Sequence, residues 1–120
     1  MQNTILVVDD DPAIVEFVSE ALRDEGYGVV TAPNGVAALV AVRQYQPQVV
    51  VLDMRMPVMD GWAFLNLYCQ QAEALAPVIA ISAHANQSPA MLCASDFLAK
   101  PFDVDVLLNL VSKYVPNADS

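Results

Sequence analysis

Three short aliphatic runs, residues 5–8, 49–52 and 78–81, constrain the fold of this chain more than any other feature. A strand covered on one face alternates apolar and polar residues. An unbroken run rich in valine and isoleucine suits a strand covered on both faces, as in a parallel sheet. Residues 28–32 and 97–99 are two weaker strand candidates. Between the runs lie helical patterns. Residues 12–25 read as a helix, with Asp11 as its N-cap, Pro12 in the first helical position and Gly26 closing it. Residues 36–45 form a second, entered through Pro33-Asn34-Gly35 and stopped before Pro47. Residues 62–71 form a third, with Asp60 as its cap, and residues 103–115 a last, one-sided helix with Val104, Leu107, Leu108, Val111 and Val115 on its apolar face.

Strands alternating with helices through short connections predict an α/β sandwich around a parallel sheet, with right-handed crossovers. At 120 residues there is room for one domain. Its core is expected over residues 4–115, with 116–120 as a tail or the start of a linker. No repeat or low-complexity segment interrupts it. Ligands of such sheets bind at the carboxyl ends of strands, where the winding direction reverses, and the polar side chains of interest fall there. Asp9-Asp10-Asp11 follows the first run directly, and Asp53 ends the run at 49–52. If those strands are neighbours, Asp9, Asp10 and Asp53 crowd together, so some of their pKa values rise or a cation binds. An all-oxygen site with few carboxylates suits Mg²⁺. Asp11 is expected only to cap its helix. Ser82 ends the run at 78–81, and Lys100 ends the segment 97–99 before Pro101. A lysine between Leu98-Ala99 and Pro101-Phe102 requires an anionic partner where it is partly buried.

These stretches, taken in order, resemble the receiver domains of two-component response regulators. The likeness is carried by Ile5-Leu6-Val7-Val8-Asp9-Asp10, by Leu52-Asp53-Met54-Arg55-Met56-Pro57-Val58-Met59-Asp60-Gly61, by Ile81-Ser82-Ala83 and by Lys100-Pro101-Phe102. It covers residues 4–115. The resemblance implies a flavodoxin-like three-layer sandwich on a five-stranded parallel sheet in the order 2-1-3-4-5. It implies that Asp53 accepts a phosphoryl group from a histidine kinase or a histidine phosphotransfer protein. Mg²⁺ would be held by Asp9, Asp10, Asp53 and the backbone carbonyl of Arg55. Lys100 would pair with one phosphate oxygen and Ser82 would hydrogen-bond another. Ser82 and Phe97 correspond to the switch pair, although Phe97 lacks the phenolic OH of many relatives. Arg55 and His84 flank the site entrance, where they are expected to tune the lifetime of the phosphate. Ala83 leaves the phosphoryl group room, and the Lys100–Pro101 bond is expected to be cis. An output domain or a downstream protein is the expected reader.

Only 17 residues separate Ser82 from Lys100, about one turn of 3.6 residues fewer than is typical of the family. With Ser88-Pro89 inside that segment and Cys93 in place of the usual glycine, the fourth helix is expected to be shortened or irregular. Charge excludes other classes. Fourteen acidic residues against five basic ones leave a net charge of −9. Direct nucleic-acid binding and attachment to anionic membranes are therefore not expected. Without a legible signal peptide or membrane span, the expected location is cytoplasmic. The two cysteines, Cys69 and Cys93, are read as reduced packing residues. Two alternatives differ in class. One is a receiver-like interaction module that takes no phosphate. The other is an aspartate-nucleophile phosphohydrolase, for which Arg55 stands where a general acid is needed. A flavin carrier is disfavoured because Asp9-Asp10-Asp11 would repel its phosphate.

Overall fold

A computed structural model describes residues 3–56, 59–70, 76–82 and 94–115. The elements run β1 (Thr4–Val8), α1 (Pro12–Asp24), β2 (Gly28–Ala32), α2 (Gly35–Tyr45), β3 (Val49–Asp53), α3 (Gly61–Tyr68), β4 (Val78–Ser82), β5 (Ala94–Ala99) and α4 (Val104–Tyr114). All five strands are parallel, in the order β2-β1-β3-β4-β5.

The unbroken apolar runs are explained by two separate cores. Leu6, Val8, Val50, Leu52, Val78 and Ala80 point to one face, where Ala38 and Ala41 of α2 and Phe64, Leu65 and Tyr68 of α3 cover them. Ile5, Val7, Val49, Val51, Ile79 and Ile81 point to the other, beneath Val18 and Leu22 of α1 and Leu107 and Val111 of α4. With side chains alternating across a strand, a strand buried on both sides has no position for a polar residue until its end.

The helix starts follow from their caps. Asp11 accepts from the Ala13 amide at 3.0 Å and Asn34 from Ala37 at 2.9 Å. Asp60 accepts from Ala63 at 2.9 Å and Asp103 from Asp105 at 2.8 Å. Gly26, at φ 94, takes the left-handed turn that ends the α1 segment. β5 begins at Ala94, three residues before the expected start, because Ala94, Ser95 and Asp96 form no apolar run and join the sheet by pairing with β4. The abbreviated helix expected between Ser82 and β5 lies outside the described residues. Cys69, the C-cap of α3, is disulfide-bonded. This corrects the reading of Cys69 as a reduced packing residue; Cys93 lies outside the described residues. A bridge depends on tertiary approach, which cysteine count and spacing do not report.

Candidate functional site

The winding of the sheet reverses between β1 and β3, so their carboxyl ends flank a crevice. Asp9 lies just past β1 and Asp53 is the last residue of β3; they are 6% and 4% exposed. Asp10 is exposed beside them. One carboxylate oxygen from each of the three lies within 4.8 Å of the others. Lys100, one residue past β5, reaches in from the adjacent part of the sheet edge, and its Nζ is 3.1 Å from Asp53 Oδ1. Ser82 ends β4 between them. It is buried, and its carbonyl accepts from the Lys100 amide at 3.0 Å. A cavity of about 380 Å³ opens over this group, lined by Asp9, Asp10, Asp11, Ile14, Asp53, Arg55 and Lys100.

Backbone amides fix the carboxylates. The Asp11 amide donates to Asp9 Oδ1 at 2.9 Å, and the Arg55 amide donates to Asp53 Oδ1 at 3.3 Å. These bonds and the single lysine do not neutralise three acids. Burial, with Asp53 and Asp10 nearby, pushes the Asp9 carboxyl up to about 6, against the Asp11 amide and Lys100. The site thus carries uncompensated negative charge on hard oxygen donors, the chemistry that fits Mg²⁺, and its open side leaves room for the waters this ion retains. Asp9, Asp10 and Asp53 are the side chains able to hold it.

A stability effect follows from that shift. An acid whose pKa is 3.8 when exposed and about 6 when folded binds its proton more tightly in the native state. Its contribution is favourable at low pH and is lost as pH rises through about 6, a change of roughly 3 kcal/mol. Without Mg²⁺, Asp9→Asn is therefore expected to gain about that much on wild type between pH 4 and pH 7. Urea titration in EDTA at both pH values checks it; a pH-independent difference between the two proteins would refute the assignment.

The geometry brings together Asp9, Asp10, Asp53, Ser82 and Lys100 and places Arg55, exposed, on the cavity wall. Lys100–Pro101 is cis. Phe97 is half-buried on β5 and packs against the core on the α2–α3 side, away from the cavity lining. His84 and Ala83 lie outside the described residues. Two lining residues carry no signal of their role in the sequence: Ile14 is indistinguishable from any apolar helix position, and Asp11 shows only its capping pattern.

A doubly wound sheet in this order, with an acidic pocket at its reversal point, defines the flavodoxin-like class to which the chemotaxis receivers belong. Residues 5–112 match the model of the response regulator receiver domain. The chain belongs to the response regulator receiver family. It is 37% identical over 120 residues to sporulation initiation phosphotransferase F of Bacillus subtilis, covering 97% of this chain and 96% of that protein. It is 40% identical over 112 residues to the probable transcriptional regulatory protein TcrX of Mycobacterium tuberculosis, covering 89% of this chain but 47% of that protein. Against the regulator NtrC of Escherichia coli the match spans 25% of the relative. The chain thus spans half or less of the length of these two longer regulators. Among solved structures, the response regulator TrrA of Thermotoga maritima in complex with Mg(2+)-BeF superposes with a TM-score of 0.86 at 32% identity, covering 95% of this chain and 100% of that one. The chemotaxis response regulator CheY4 of Vibrio cholerae superposes with a TM-score of 0.85 at 29% identity, covering 96% and 100%. No described helix is long and apolar enough to cross a membrane.

Proposed function

We propose that this chain is a phosphoacceptor switch in which Asp53 receives a phosphoryl group from a phosphohistidine on a histidine kinase or phosphotransfer protein. The observation that carries the reading is the placement of Lys100 Nζ 3.1 Å from Asp53 Oδ1, beside two further carboxylates. The free carboxylate oxygen of Asp53 attacks phosphorus as the P–N bond breaks, and the departing imidazole takes up a proton. Bound Mg²⁺ supplies the positive charge that lets two anions approach. Lys100 stands where it can follow the new charge from the carboxylate to a phosphate oxygen, and the Arg55 amide already addresses the acceptor side chain.

Aspartyl phosphate adds close to two negative charges at the end of β3. Ser82, on the neighbouring strand end, is placed to answer it, and Phe97 one strand further can follow only through packing. The product is a changed surface for an output domain or downstream protein. The chain turns over no free substrate, and loss of its phosphate is self-catalysed. A cytoplasmic location belongs to the same proposal. The likeness to a phosphotransferase and to a regulator complexed with Mg(2+)-BeF supports it.

Acetyl phosphate, a small donor, tests this without knowledge of the partner. Intact-mass measurement is expected to show one added phosphoryl group with Mg²⁺ and none with EDTA. No incorporation at saturating Mg²⁺ would overturn the reading.

A further inference from the structure

The loop that leaves β3 carries the Arg55 carbonyl expected to face the cation, and two glycines grip it. At its far end, the Gly61 amide donates to the Met54 carbonyl at 3.2 Å, and a Cβ on Gly61 would stand 2.7 Å from Met54 Cα. The second grip comes from another element. Gly35, the first residue of α2, donates its amide to the Met59 carbonyl at 3.0 Å. A Cβ there would lie 2.8 Å from that carbonyl oxygen and 2.6 Å from Met59 Cγ. Neither glycine has a positive φ, so both are required for room and not for backbone freedom. The side chain of Met59 could swing aside, but its carbonyl is held by the hydrogen bond that creates the contact. Nor can α2 retreat, because Ala38 is fully buried against the sheet and Ala41 nearly so. A side chain at position 35 must displace Met59, and Gly61, two residues on, is bonded to Met54 beside Arg55.

We propose that Gly35 is a positioning residue for the Asp53 site: it docks α2 onto Met59 and thereby, through Gly61 and the Met54 carbonyl it holds, fixes the adjacent Arg55 amide and carbonyl. The inference rests on the phosphoacceptor reading and deepens it. Asn34 and Gly35 divide the work at this helix end. Asn34 caps α2 through Ala37, and Gly35 sets how close α2 lies to the loop. Displacing Met59, and with it Gly61 and Met54, alters the 3.3 Å bond from the Arg55 amide to Asp53 Oδ1 and the direction of the carbonyl in the same residue.

Calorimetric Mg²⁺ titration of Gly35→Ala is expected to give a Kd about 10-fold or more above wild type, the range seen when outer-shell support is lost. Phosphate incorporation from acetyl phosphate is expected to fall at low Mg²⁺ and recover at high Mg²⁺. Val36→Ala, at the exposed neighbouring position, is expected to change neither. A purely structural role for Gly35 would lower thermal stability and leave the Kd alone. Should Gly35→Ala not fold, Mg²⁺ titration of wild type followed by amide NMR decides: the Gly35 resonance is expected to shift with the same midpoint as that of Arg55. A folded Gly35→Ala whose Kd stays within about twofold of wild type overturns the proposal, as does a Gly35 resonance that is still while Arg55 moves. A wild type that binds no Mg²⁺ overturns both this and the switch reading, whereas normal wild-type binding with an insensitive position 35 overturns this one alone.

Discussion

Asp53→Asn is expected to take up no phosphate from acetyl phosphate under conditions where wild type is fully labelled, while remaining folded. The substitution exchanges one carboxylate oxygen for an amide nitrogen of nearly the same size, so the buried end of β3 keeps its packing among Val51, Leu52 and Ile81. The side-chain carbonyl can still accept from Lys100 Nζ and from the Arg55 amide. What is lost is the charge and the nucleophilic oxygen, and an amide does not replace them. Removing one of three clustered acids also removes part of the repulsion that raises Asp9, so the metal-free variant is not expected to be grossly destabilised. Intact-mass analysis together with circular dichroism separates the outcomes. Labelling that persists in a folded Asp53→Asn would move the acceptor to another residue.

The largest stability effect is expected at Phe64. Its side chain is fully buried and stacks on Tyr68 with ring centroids 5.2 Å apart, while the Tyr68 hydroxyl donates to the Ala76 carbonyl at 3.0 Å. The pair thus ties α3 to the segment entering β4. Phe64→Ala removes a ring from a core filled on all sides, for an expected loss of about 3–5 kcal/mol. For a domain of this size that lowers Tm by on the order of 10–25 °C. Phe17, on the exposed side of α1 at 54% exposure, provides the contrast: Phe17→Ala is expected to stay within about 0.5 kcal/mol of wild type. Urea unfolding of both variants checks the pair. A loss at Phe64 below about 1 kcal/mol would mean that the core closes over the cavity.

Much of this architecture is legible in the chain because local and tertiary signals agree. The runs of residues 5–8, 49–52 and 78–81 name the central strands, and the acids and the lysine stand at strand ends where the sheet requires polar residues. Asp11 and Asp60 mark helix starts by a mechanism that acts within three residues, whereas the caps at Asn34 and Asp103 read as a turn and as the helix itself. Legibility ends where the determinant is distant in sequence. The first half of β5 has no pattern of its own and is a strand because β4 lies beside it, with a register irregularity at Val78 and Ile79. The disulfide at Cys69 and the contact between Gly35 and Met59 are invisible for the same reason: Asn34-Gly35 reads as a turn whether or not a carbonyl lies against it.

The division of the sheet into two cores has a consequence for how this chain can vary. A slip of one residue along β3 would send Val49 and Val51 to the wrong layer and, in the same movement, put Leu52 or Met54 where Asp53 now stands. Packing therefore acts as a ruler for reactivity: the hydrophobic layers select the one register that aims a carboxylate out of the strand end. Length changes are accordingly confined to the connections, and the acceptor cannot drift without the whole interior being exchanged.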